Sequence, residues 1–193
     1  MRALNKPELD LVEIEDLIKS EPGLCYRFLR YLNSPAFYLQ REIRSVLHGL
    51  ALMGETELRK WLMLVYSVLA GGEKKAELIT STLVRARFAE LLGREVKVPP
   101  SELFILAMLS RLDAILDVPL DTILEQVAVP DATRAALLGQ DNRLRQTLDL
   151  VASYEAADQS TCDSLRRRFR IPDAVLTRAY LDAVKWVRSV SAG

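Results

Sequence analysis

Histidine is almost absent from this chain: 193 residues contain one, His48. Cysteine is nearly as scarce, with Cys25 and Cys162 far apart and no Cys-x-x-Cys spacing. A zinc or iron centre needs several such ligands converging, and this chain cannot assemble them. As a general base His48 would need a nucleophile or carboxylate partner, and the residues around it offer none; it reads as a packed or surface histidine. The two isolated cysteines read as free thiols of a reducing compartment. Long hydrophobic runs are missing too: the longest, Leu103 to Leu109, is far too short to span a bilayer. No basic-then-apolar leader opens the chain, so a cytoplasmic protein is expected, without membrane insertion. Neither sign of charge is in excess, with 26 Lys and Arg against 26 Asp and Glu. No long-range field would therefore draw the whole protein to nucleic acid or anionic lipid.

Other absences remove further classes. No P-loop, GxGxxG, GxSxG or HExxH pattern occurs. Gly71-Gly72 followed by Lys74-Lys75 lacks the spacing of a phosphate loop and the strand before it. No stretch alternates with period two, which argues against a sheet. No unit recurs at a fixed period, which argues against an α-solenoid. Carboxylates alone could hold magnesium, and the densest acidic segment is Glu8, Asp10, Glu13, Glu15 and Asp16. Those residues open a helix opposite its apolar stripe, where acidic side chains suit the dipole, so a solvated face is the simpler account.

What is present is helical periodicity. Half the residues are hydrophobic, enough for a sizeable core. Leu11, Ile14, Leu17 and Ile18 share one helical face; Leu24, Phe28, Tyr31 and Leu32 make a second stripe, opened by Pro22. Pro35 ends that helix by about Asn33. Val46, Leu47, Leu50 and Met53 form a third stripe ended by Gly54, and Leu58 to Leu69 a fourth. Leu83 to Leu92 follows, then an extended connector, Val96 to Pro100, with Ser101 as a helix cap. Phe104 to Leu109 is apolar on every side and belongs at the centre. Pro119 and Pro130 open short helices; Leu144, Leu148 and Val151 form another stripe; Ser164 to Arg170 is short and basic; Pro172 opens the last helix. The expectation is a compact, all-α, multi-helix single domain spanning 1–193, of about ten helices.

The break between the second and third stripes identifies a family. Glu21-Pro22, Leu24, Arg27, Leu29, Arg30, Asn33, Ser34 and Phe37, then Ile43, Ser45, Val46, Leu50 and Gly54, resemble the HDOD signature. Lys60-Trp61, Met108-Leu109-Ser110-x-Leu112-Asp113 and Leu150-x-x-x-Tyr154-Glu155 resemble the HDOD half of bacterial EAL–HDOD signalling proteins. Pro35 and His48 depart from the common pattern. The resemblance implies the fold of HD-type metal phosphohydrolases without their metal site. The His-Asp position of those enzymes would fall at Ser110 and Arg111. A hydroxyl is a poor ligand and a guanidinium repels a dication.

The resemblance further implies a non-catalytic regulatory output domain, without a cofactor, acting through protein partners in bacterial cyclic-di-GMP signalling. In the parent protein it would accompany an EAL-like domain. Asn33, Ser34, Pro35 and Phe37 are the expected structural hub. Tyr38, Arg41 and Arg44 are the candidate partner surface, being aromatic and arginine residues of the kind interfaces favour. Two alternatives stand beside this reading. One is a residual metal-dependent phosphohydrolase. The other is a nucleic-acid-binding helical domain using Arg166 to Arg170, against which Glu155, Asp158, Asp163 and Asp173 stand nearby.

Overall fold

The apolar run predicted to lie at the centre does so, and the other helices are arranged around it. The structure is a computed structural model that describes residues 10–33, 43–54, 57–58, 76–125, 127 and 129–191. Among these residues there are eleven helices and no strand. They are α1 (Leu11–Lys19), α2 (Pro22–Leu32), α3 (Val46–Met53), α4 (Ala76–Leu91), α5 (Pro100–Leu109) and α6 (Leu112–Leu116). Then come α7 (Leu120–Glu125), α8 (Asp131–Leu137), α9 (Arg143–Glu155), α10 (Gln159–Phe169) and α11 (Asp173–Ser191).

In α5 every residue from Leu103 to Leu109 is at most 2% exposed. A helix apolar on all sides must be covered on all sides. Helix α4 lies along it, α8 and α9 also contact it, and α11 packs against α4 and reaches Phe104 of α5 through Trp186. Helices α1, α2 and α3 contact one another as a second group, tied to the first where α2 meets α4 and α6. Phe88, Tyr154 and Tyr180 stack edge-on or tilted at centroid distances of 5.2 to 5.5 Å, joining α4, α9 and α11.

Local signals set the helix ends. Asp10 accepts from the Val12 and Glu13 amides and opens α1. Pro22 occupies the first turn of α2, where Glu21 accepts from the Gly23 and Leu24 amides. Ser45 caps α3 by accepting from the His48 amide at 2.9 Å. Gly54, at φ 74°, stops it in a backbone conformation that side chains disfavour.

Four local expectations need correction. Leu17 is 48% exposed, and the inward position in the last turn of α1 belongs to Lys19, only 8% exposed. A lysine can be buried there because its ammonium meets Glu90 at 2.6 Å and lies 4.3 Å over the Phe104 ring. The connector before α5 is not extended: residues 92–97 coil in turns, with the Val98 amide returning to the Gly93 carbonyl at 3.0 Å. A Cβ on Gly93 would lie 2.9 Å from the Pro100 Cα, so only glycine fits the close return. Helix α5 begins at Pro100 without a side-chain cap, and Ser101 lies inside it. The basic segment belongs to a longer helix, α10, which starts at Gln159 because Asp158 caps it.

Helices α2 and α3 meet at Gly49, where an added Cβ would lie 2.6 Å from Leu32 Cδ1 and 2.9 Å from Phe28 Cε1. Overpacking costs about 1–3 kcal/mol, against a gain in helix propensity of ~1 kcal/mol. Gly49→Ala is therefore expected to lower the urea midpoint; an unchanged midpoint would mean the two helices separate freely. Glu15 offers a pH test. Burial first, and Glu90 and Asp16 next, hold its carboxyl above the ordinary value, while Lys19 and the Leu47 amide oppose them. The folded state thus keeps its proton to higher pH than the unfolded state, and this contribution to stability is lost as pH rises through the raised value. Glu15→Gln should have the higher urea midpoint near neutrality, with the difference shrinking towards roughly pH 4.

Candidate functional site

The central helix ends at the position the sequence marks as vacated. Ser110 turns its hydroxyl back onto the Ala107 carbonyl at 2.7 Å and its amide onto Leu106, finishing α5. The hydroxyl is thereby directed along the chain. Arg111, in the joint between α5 and α6, projects the other way and donates through Nη1 to Ser81 Oγ on α4 at 2.9 Å. Ser81 in turn donates to the Leu78 carbonyl.

Beside this contact lies a cleft of about 380 Å³ bordered by Glu77, Thr80, Ser81, Arg111, Glu155 and Tyr180. One guanidinium, Arg111, and two carboxylates, Glu77 and Glu155, border it. Arg85, one turn along α4 from Ser81, donates through Nε at 2.8 Å and Nη2 at 2.5 Å to Glu155 Oε2 at the end of α9. Both side chains are mostly buried, 13% and 15% exposed, so the pair is shielded from screening. Burial, and after it the like charge of Arg85, hold Arg111 below the ordinary guanidinium value, while Glu155 and Asp113 pull the other way.

These residues do not fit a divalent metal. A dication at the end of α5 would face two arginines, and the nearest inward carboxylate, Glu155, is engaged by one of them. Among the described residues no group of three or more His, Cys, Asp or Glu could hold a metal ion. His48 is half-buried on α3 and contributes only its backbone amide to the Ser45 cap.

The predicted hub and surface are described in part. Asn33 completes the end of α2, its side-chain amide donating to the Leu29 carbonyl at 2.7 Å. Arg44 is exposed, just before the cap of α3. Ser34, Pro35, Phe37, Tyr38 and Arg41 lie outside the described residues, as do Lys60, Trp61 and the Gly71 to Lys75 loop.

In the Arg166 to Arg170 run, Arg166 and Arg167 are tied down within their own neighbourhood, and Arg168 and Arg170 are exposed. Arg166 meets Asp163 at 2.8 Å, and Asp173 at 4.0 Å. Arg167 donates to the Asp163 carbonyl. Arg170 adopts the left-handed conformation that ends α10. Arg168 borders a hollow shared with Asp141, Asp149 and Asp158.

Sequence reasoning missed Ser81, Arg85 and Lys19. The available signal was a charge falling within an apolar stripe, as Arg85 does between Leu83 and Phe88.

The HDOD domain model matches residues 1–128, about two thirds of the chain. The chain belongs to the HDOD family. It is 28% identical over 194 aligned residues to YuxH of Bacillus subtilis, covering 98% of this chain and 47% of that protein. It is 27% identical to the cyclic di-GMP phosphodiesterase CdgJ of Vibrio cholerae, covering 98% of this chain and 44% of CdgJ. The chain thus spans less than half the length of either relative. Its fold is similar to that of the MmoQ response regulator of Methylococcus capsulatus, with a TM-score of 0.77 at 19% identity over 93% of this chain and 92% of that one. A fragment of the same regulator superposes with a TM-score of 0.73 at 18% identity, covering 91% and 88%. HDOD membership and the phosphodiesterase relative place the chain in a signalling context, the relative's being that of cyclic di-GMP. Among the described residues no helix is long and apolar enough to cross a membrane.

Removing one partner of the Arg85–Glu155 pair strands a charge in a poorly hydrated place, which costs about 3–5 kcal/mol for fully buried pairs. Glu155→Ala is expected to cost about 3 kcal/mol, and Arg85→Met with Glu155→Leu to restore most of it. Denaturant unfolding measures both, and a Glu155→Ala cost below about 1 kcal/mol would reduce the pair to a surface contact.

Proposed function

We propose that this HDOD domain is a non-catalytic output module that works by protein–protein recognition in cyclic-di-GMP signalling. The observation that carries the reading is the pair of arginines at the end of the central helix. Arg85 is paired with Glu155 and Arg111 donates one hydrogen bond to Ser81, where a phosphohydrolase of this fold would need metal ligands. Without a Lewis acid or an activated water the cleft has no route to phosphoester hydrolysis. Family membership supports the signalling role. The cyclic di-GMP activity named for CdgJ supports the pathway, with an EAL-like domain as the module's neighbour in a longer parent protein. The regulator named for the solved structures is consistent with an output role.

The proposed partner surface is Arg44 together with Tyr38 and Arg41. Aromatic and arginine side chains give interfaces much of their energy, and α3 behind Arg44 is anchored by Val46 and Leu50. Nucleic-acid binding gains no support, because the best basic run is offset by Asp163 and Asp173.

Two measurements test the reading. Pure protein incubated with manganese and a phosphodiester or phosphomonoester substrate is expected to release product no faster than buffer. Metal-dependent release abolished by chelation would overturn the non-catalytic assignment. Changing Tyr38 and Arg44 together to alanine should weaken capture of partners from the native host about tenfold or more, with melting temperature unchanged; undiminished capture would move the recognition surface elsewhere.

A further inference from the structure

Arg111 is not needed by the ion-pair network around it. Arg85 takes Glu155 by two donors, and Glu90 takes both Lys19 and Arg87. Among the described residues Arg111 donates one hydrogen bond, to the neutral hydroxyl of Ser81, and makes no ion pair. A guanidinium carries five N–H donors in a rigid fork, so most of its capacity meets no acceptor among the described residues. Yet it is half-buried, and burial together with Arg85 disfavours its charge, so it bears a desolvation cost without the compensation such groups ordinarily have.

Two hollows meet at this side chain. One is the cleft of about 380 Å³ reaching to Tyr180. The other, about 520 Å³, shares Glu77, Ser81 and Arg111. Either suits a small molecule in size. Of the negative groups near them, Glu155 is held by Arg85, and Glu77, exposed in the first turn of α4, borders both hollows. Asp113 is exposed, on the first turn of α6 beyond the joint.

We propose that the cleft is a binding site for a small oxyanion, a phosphate or carboxylate group, received by the free fork of Arg111 beside Ser81. Two parallel N–H donors match two oxygens of either group, and an anion relieves the repulsion between Arg111 and Arg85. Tyr180 supplies an aromatic wall for whatever the anion is attached to. The site lies on α4, α9, α11 and the α5–α6 joint, whereas the proposed partner surface precedes α3.

The test titrates the folded chain with inorganic phosphate and, separately, acetate at constant ionic strength, following arginine side-chain Nε–H resonances by NMR. The Arg111 signal is expected to move saturably, and those of exposed Arg168 and Arg178 to move little. A response to phosphate alone assigns a phosphate ligand, and a response to acetate alone assigns a carboxylate. Arg111→Gln should weaken binding at least tenfold, and Arg111→Lys, which keeps charge but loses the fork, by less. No saturable movement of Arg111 with either anion overturns the proposal, as does unchanged affinity in folded Arg111→Gln. The first result is read on the unaltered chain, so a variant that fails to fold does not decide the matter.

Discussion

Everything in this fold depends on covering α5. Seven consecutive residues, Leu103 to Leu109, have almost no contact with water. Burying a side chain of this kind contributes about 1.5–3 kcal/mol, so no arrangement that leaves a face of α5 open could compete. The requirement places α4 along it and brings α9 and α8 against it. It also fixes where the first polar residues after α5 emerge. Ser110 and Arg111 come out at a junction already walled by α4 and α9, which is why a cleft forms there.

The charged groups brought inside by this packing are then paired across long sequence distances. Lys19 reaches Glu90 over 71 residues, and Arg85 reaches Glu155 over 70. Each joins helices that the apolar core already holds close. Such pairs add little net stability over apolar substitutes, but losing one partner is costly, so they specify how the helices are seated. Both make a carboxylate the partner of a cation fixed in the protein, leaving it poorly placed to serve as a metal ligand. Arg111 stands apart, with a single neutral partner among the described residues.

Much of the architecture was legible because its signals are local. Pro22 and Gly54 mark helix ends by backbone geometry alone, and the run through Leu109 declares a buried helix by composition. The features that stay silent in the sequence are those that need a distant partner. Lys19 follows acidic residues on α1 and looks solvated until Glu90 and Phe104 are beside it. The tight return at Gly93 depends on Pro100 arriving against it. The cleft shows the same division. The family motif includes Glu155 and borders Arg111, but it does not reveal their partners on α4, Arg85 and Ser81. One helix supplies both of those links, at i and i+4, a spacing that becomes meaningful only when α5 and α9 are in place.

We propose that the Arg85–Glu155 pair and Arg111 stand where a phosphohydrolase of this fold would bind metal. Isothermal titration of the purified chain with manganese tests it most directly. The account predicts no saturable heat beyond that of weak surface association, and no difference between the unaltered protein and Glu155→Gln. A saturable stoichiometric site that disappears in Glu155→Gln would contradict it.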